Sequence, residues 1–65
     1  MLNPAKTLYT VTFLTTSFTS EYFGVYESLA KAKKAADKLA AERWVRESAV
    51  VEQRGAWPIY KGVAQ

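Results

Sequence analysis

The chain has 65 residues, contains neither cysteine nor histidine, and carries a formal net charge of +3 at pH 7. This length allows one domain with a thin core, and the missing residue types exclude disulfides and the commonest zinc ligands. No apolar run approaches the roughly 20 residues that span a bilayer, and the N-terminal segment lacks the apolar core of a signal peptide. We therefore expect one cytoplasmic domain over residues 1–65, without membrane contact, in which residues 1–6 and 62–65 are loose.

The first part of the chain predicts a pair of antiparallel strands. Between Thr7 and Thr15, apolar residues alternate with threonines, which is the period-2 pattern of a half-buried strand. A hydroxyl-rich turn follows, and residues 22–26 predict the second strand.

A helix is predicted from Leu29 to about Trp44, with Ser28 as its N-cap. The segment is rich in alanine, leucine and lysine, which are strong helix formers. Five of its apolar residues fall on one stripe: Leu29, Ala32, Ala36, Leu39 and Ala40. The stripe predicts an amphipathic helix on one face of the sheet, and its alanines allow a close approach.

Two more strands are expected after the helix. Residues 48–53 predict a third strand, and residues 45–47 are ambiguous. Beyond a turn at 54–55, residues 56–60 can form a short fourth strand, which Pro58 would confine to an edge. The predicted fold is α+β: a β-β-α-β arrangement with a short fourth strand, an antiparallel sheet of order 2-1-3-4, and one packed helix.

The residue types argue against an enzyme. Without histidine or cysteine, the usual general base, thiolate nucleophile and transition-metal ligands are missing. The acidic residues show no calcium-loop spacing, and the isolated glycines form no phosphate-binding loop. We therefore predict a non-enzymatic binding protein that uses no cofactor and no metal.

One candidate binding surface lies on the predicted helix. Lys31, Lys34 and Lys38 fall in a row on its outer face. Such a row can follow a phosphate backbone or meet an acidic protein, and it is also an ordinary solvated helix face. Nucleic-acid binding through this row is the alternative function that the sequence offers.

The sheet face away from the helix is the predicted protein-binding surface. Phe23 and Val25 are expected to point into the core, so that Tyr22 and Tyr26 point outward. The candidate binding residues on this face and at its far edge are Tyr22, Tyr26, Thr10, Thr12, Arg54 and Trp57. Tyrosine, tryptophan and arginine dominate binding hot spots, whereas the simpler interpretation is that tyrosines only shield the face.

The second strand is expected to be an edge of the sheet, because the crossover places the third strand beside the first. From Tyr22 to Tyr26 it is uncharged and contains no proline, so it lacks two common protections of an exposed edge. Another chain can pair with such an edge. We therefore expect a homodimer, or a sheet completed by a partner protein.

Three segments carry a resemblance in layout: a first strand at 6–12, a strand-to-helix junction at 25–29 followed by Ala32 and Ala36, and a last strand at 49–54. The arrangement resembles the very small host-takeover proteins of bacteriophages, especially the inhibitor of host RNA polymerase made by podophages. In that family, basic residues of the last strand contact the polymerase, and Arg54 is the counterpart here. The resemblance implies a phage or prophage accessory protein that binds and inhibits a larger host machine.

Overall fold

Residues 7–55 and 57–63 are described by a computed structural model, in which four strands and one helix follow one another. The elements are β1 (Tyr9–Thr15), β2 (Ser20–Tyr26), α1 (Leu29–Ala40), β3 (Val45–Glu52) and β4 (Pro58–Lys61). The strands form one antiparallel sheet in the order β2-β1-β3-β4, and α1 packs on one face of it. The predicted α+β fold and strand order are confirmed, and β2 and β4 are the edges.

The core lies between α1 and the two central strands. Val11 on β1 pairs with Val50 on β3, and both side chains are fully buried. Phe13 follows two positions later on the same face, as the period of a strand requires, and it is also buried. β1 is therefore the half-buried strand that the sequence predicts, with its apolar residues in the core and the intervening threonines on the open face.

The helix begins where the sequence predicts. The Ser28 side chain accepts a hydrogen bond from the Lys31 backbone N–H at 3.5 Å and caps the N-terminus. The predicted apolar stripe is the packed face of α1: Ala32, Ala36, Leu39 and Ala40 are buried, and Leu29 packs against the core. Because most of these side chains are methyl groups, the helix backbone lies close to the sheet.

The helix ends at Ala40, before the predicted end near Trp44. The Ala41 backbone N–H closes it by donating to the Asp37 carbonyl at 3.2 Å. Val45 is buried in the core and begins β3, three residues before the predicted start. Alanine and glutamate favour more helix in this segment, but burial of Val45 requires the chain to return to the sheet.

A close contact between helix and sheet lies at Ser48 of β3. Ser48 is buried, and its hydroxyl donates a hydrogen bond to the Ala36 carbonyl at 2.5 Å. Gly62 lies over the same place, because its backbone N–H donates to the Ser48 carbonyl at 2.9 Å. A Cβ atom on Gly62 would overlap the Ser48 hydroxyl and lie 2.5 Å from the Ala36 carbonyl oxygen. The position therefore requires glycine.

The C-terminal segment differs from the prediction. The fourth strand covers Pro58–Lys61, not residues 56–60, and residue 56 lies outside the described residues. Gly62 and Val63 were expected to be loose, but both are hydrogen-bonded, to Ser48 and to the Asp37 carboxylate. The other segments predicted to be loose, residues 1–6 and 64–65, also lie outside the described residues.

We expect Gly62→Ala to lower the free energy of unfolding by about 2 kcal/mol, because the added methyl group overpacks the contact between helix and β3. Gly55→Ala is the matched control. A Cβ there would have its nearest neighbour at 3.5 Å, an ordinary contact, so the change should stay within about 0.5 kcal/mol. Urea denaturation followed by circular dichroism measures both. Equal stability of the two variants would contradict the close contact at Gly62.

Candidate protein-binding surface

A β-bulge decides which way the side chains of β2 point. Val11 of β1 pairs with Gly24, but the next residue, Thr12, pairs with Tyr22. Phe23 is therefore an extra residue in β2 and has no partner of its own in β1. Beyond the bulge, the alternation of side chains continues with the opposite phase.

Two of the predicted orientations on β2 are wrong for this reason. Val25 was expected in the core, but it pairs with Thr10 on the open face and is 59% exposed. Tyr26 was expected on the open face, but it pairs with Tyr9 and packs against the core. Phe23 does turn toward the helix side, yet it lies at the rim of the core and is 53% exposed.

The open face of the sheet brings together part of the predicted site. Thr10 and Thr12 on β1 are half-buried, and they pair with Val25 and Tyr22 on β2. Tyr22 is 82% exposed. These four residues form a continuous patch of apolar and hydroxyl-bearing side chains at the β2 side of the face. Val25 belongs to this patch although the sequence did not indicate it.

The other predicted site residues lie elsewhere. Arg54 is in the turn after β3, and Trp57 directly precedes β4. Both are exposed, Trp57 to 81%. Because β4 is the edge opposite β2, the predicted set is divided between two edges and does not form one surface.

Aromatic side chains also line the helix side of β2. The Phe13 ring packs edge-on against Phe23, with centroids 6.5 Å apart, and against Trp44, at 5.3 Å. Phe23 and Trp44 nevertheless remain about half exposed, at 53% and 49%. The sequence predicted Trp44 as the last residue of the helix. Because α1 ends earlier, at Ala40, Trp44 lies in the connection to β3 and packs in this cluster. Edge β2 is therefore flanked by exposed apolar side chains on both faces.

The turn between β1 and β2 carries a further exposed aromatic residue. Phe18 has a backbone φ of 63° and is 67% exposed. A positive φ costs energy for a side chain with a Cβ. The guanidinium of Arg46 on β3 lies 4.7 Å from the centre of the Phe18 ring, a cation–π contact between the turn and the neighbouring strand.

The lysines of α1 point to solvent as predicted, but they do not share one environment. Lys31, Lys34 and Lys38 are all exposed. Lys34 and Lys38 line an open groove between α1 and β2, with a volume of about 420 Å³. Its other lining residues are Phe23, Tyr26 and Ala35. Lys31 lines a second depression, which it shares with Lys33, Lys34 and Asp37.

On the β4 side, Asp37 of α1 accepts two hydrogen bonds from the C-terminal segment. The Tyr60 hydroxyl donates to the Asp37 carboxylate at 2.7 Å, and the Val63 backbone N–H donates to the same oxygen at 3.2 Å. The hydrogen bond to Asp37 raises the pKa of Tyr60 above its usual value. The Lys33 ammonium lies 5.2 Å from the centre of the Tyr60 ring. These contacts attach the described end of the chain to the helix.

The described residues contain neither a metal-binding cluster nor a membrane-spanning helix. Residues 7–55 and 57–63 contain no group of three or more side chains that could hold a metal ion. Over the same residues, no helix is long and apolar enough to cross a bilayer.

The Asp37–Tyr60 hydrogen bond predicts a pH dependence. Because the folded-state pKa of Tyr60 is raised, its contribution to stability is complete below about pH 10 and is lost as the pH rises through the folded-state value. Tyr60→Phe should be less stable than wild type at neutral pH, and it should lose less stability above pH 10. Thermal denaturation across this pH range tests both points, with Tyr22→Phe as the control for an exposed tyrosine. Parallel curves for wild type and Tyr60→Phe would contradict the assignment.

Comparisons with known proteins do not identify the chain, since no protein-family model, curated protein or solved structure matches it. The surface around β2 and the lysines of α1 are the features that bear on its function.

Proposed function

We propose that this chain is a non-enzymatic protein-binding module to which a partner adds a strand along β2. One observation carries the proposal: β2 is an edge strand on which Tyr22, Phe23 and Val25 are all large, apolar and more than half exposed. An added strand forms backbone hydrogen bonds with the edge, and its side chains cover apolar residues on both faces. Burial of such surface favours association.

The opposite edge is less suited to the same role. β4 spans four residues, begins at Pro58 and ends at Lys61, and proline and lysine are residues that protect sheet edges. β2 spans seven residues, and its one charged residue, Glu21, lies near its start. The bulge at Phe23 divides β2 into two short segments, which limits the pairing that either segment can form.

A biological role can be added to this proposal from the resemblance in layout. A phage or prophage accessory protein that binds and inhibits a larger host machine would need a compact binding surface and no catalytic centre. The apolar surface around β2 meets that need. In this proposal the chain acts in the cytoplasm, where the host machine would be.

Nucleic-acid binding through Lys31, Lys34 and Lys38 remains the alternative proposal. Its support is that all three side chains are exposed on the outer helix face. We favour protein binding because the row contains no arginine, which is the residue best suited to phosphate recognition. In addition, the carboxylate of Asp37 lies on the same helix and reduces the local positive charge.

Substitution at the two edges tests the proposal. Tyr22→Lys should abolish capture of protein partners from lysate of a bacterial host, because it places a charge on the β2 patch. Trp57→Lys is the matched control, since Trp57 is equally exposed, 81% against 82%, but lies beside the opposite edge. Capture should survive that change and also treatment with nuclease. Capture that depends on Trp57 but not on Tyr22 would contradict strand addition at β2, and capture lost with nuclease would favour the alternative.

The same edge is expected to pair with a second copy when no partner is present. We expect the average mass of the wild-type chain to rise with concentration toward that of a dimer, because the exposed apolar residues of β2 are then buried. Tyr22→Lys should remain monomeric over the same range. Sedimentation equilibrium at several concentrations measures this. A wild-type monomer at every concentration would remove the homodimer and leave only pairing with another protein.

A further inference from the structure

We propose that the groove between α1 and β2 selects an acidic, extended segment of the partner protein. In this arrangement the carboxylates of the segment pair with Lys34 and Lys38, and an apolar side chain enters between Phe23 and Tyr26. The inference rests on the proposed strand addition at β2 and specifies the chemistry of the added strand.

The groove lies where α1, which packs over the two central strands, leaves β2 partly uncovered. The buried residues Ala32, Ala36 and Leu39 direct the helix toward β1 and β3. Hydrogen bonds fix it on that side, from Ser48 of β3 to the Ala36 carbonyl and from Tyr60 of β4 to Asp37. No comparable side-chain hydrogen bond joins α1 to β2 among residues 7–55 and 57–63. An open space of about 420 Å³ therefore remains beside the β2 edge.

The lining of the groove combines an apolar base with positive charge. Phe23 and Tyr26 contribute aromatic rings from β2, and Ala35 contributes a methyl group from the helix. Lys34 and Lys38 lie one turn apart on α1 and complete the lining. A volume near the lower end of the range for ligand pockets accommodates one or two side chains. It therefore suits an extended chain better than a folded domain.

The positive charge of the groove is reduced by Asp37 of the same helix, but it is not paired in a salt bridge within the described residues. Neither Lys34 nor Lys38 forms a salt bridge with residues 7–55 or 57–63. The nearest acidic residue along the helix, Asp37, instead accepts hydrogen bonds from Tyr60 and Val63 on the β4 side. Carboxylates on a segment paired with β2 would lie on the same side of the sheet as the two ammonium groups. Electrostatic complementarity of this kind selects the partner and its register.

A peptide fits these features better than a nucleic acid does. The groove runs beside a strand edge, whose backbone N–H and C=O groups pair with another peptide backbone. A nucleic acid would use the rings and the lysines but would leave those backbone groups without regular partners. The proposed occupant is therefore a strand in which acidic residues flank a large apolar residue.

A displayed library of random linear peptides, selected on the full chain, tests the inference. We expect the selected peptides to carry aspartate or glutamate on either side of an apolar residue. The best peptide, made synthetically, should bind about tenfold more weakly to the Lys34→Gln/Lys38→Gln variant. Replacing its acidic residues with their amides should weaken binding to wild type by a similar factor, and added salt should also weaken it.

The matched control is Lys31→Gln/Lys61→Gln. It removes the same number of charges from exposed positions outside the groove. Affinity for the peptide should remain within about twofold of wild type, because neither ammonium lines the groove and exposed charges outside a direct pair contribute little. A peptide methylated on alternate backbone nitrogens should bind poorly to every variant, since it cannot extend the sheet. The acidic peptide should also dissociate any homodimer formed through β2.

Five results would overturn the inference. Selected peptides without acidic preference, or equal loss of affinity in both double variants, would remove the role of Lys34 and Lys38. If peptides without acidic residues are selected and Tyr22→Lys abolishes their binding, strand addition at β2 is supported but a preference for acidic segments is not. No selected peptide at all would overturn strand addition as well. Tighter binding of a labelled single-stranded oligonucleotide, or a homodimer that the peptide leaves intact, would assign the groove to another occupant.

Discussion

The rest of the structure depends on the close approach between α1 and β3. At this point the hydroxyl of a buried serine, Ser48, reaches a main-chain carbonyl in the middle of the helix, that of Ala36. Only small residues on both elements allow such a distance, and Gly62 covers the contact without a side chain. A core of this size has few large apolar residues to contribute. The core is therefore stabilised by tightly packed methyl groups and by a buried hydroxyl that forms a hydrogen bond.

The position of the helix determines which part of the sheet remains accessible. α1 is held on the β3 and β4 side, where Tyr60 and Val63 both donate to the carboxylate of Asp37. On the β2 side, Tyr26 packs against the core and Phe23 lies at its rim. The partly exposed β2 edge is thus a consequence of how the core is packed. In a 65-residue chain, the same small residues that stabilise the fold place the helix over the central strands and leave β2 partly exposed.

The sequence was sufficient for the features that follow from regular periods. Alternation predicted β1, the alanine stripe predicted the packed face of α1, and the crossover predicted the strand order. It was insufficient where one residue changes a period or where burial competes with propensity. The bulge at Phe23 reversed the expected orientations of Val25 and Tyr26, because one inserted residue exchanges the faces of everything beyond it. Gly24 was the available signal, since an isolated glycine in a strand often marks a bulge.

The same bulge shapes the candidate site on both faces of β2. In a regular strand that starts from an outward Tyr22, Tyr26 would also point outward and Val25 would point inward. With Phe23 inserted, two aromatic residues three positions apart turn toward the helix, and they form the apolar base of the groove below Lys34. Gly24 lies between them, and the Tyr26 ring packs over it at about 3.5 Å from where a Cβ would be. Val25 meanwhile joins Tyr22 on the open face. One irregular residue therefore gives this edge exposed apolar side chains on both sides, which is what a strand added to it would cover.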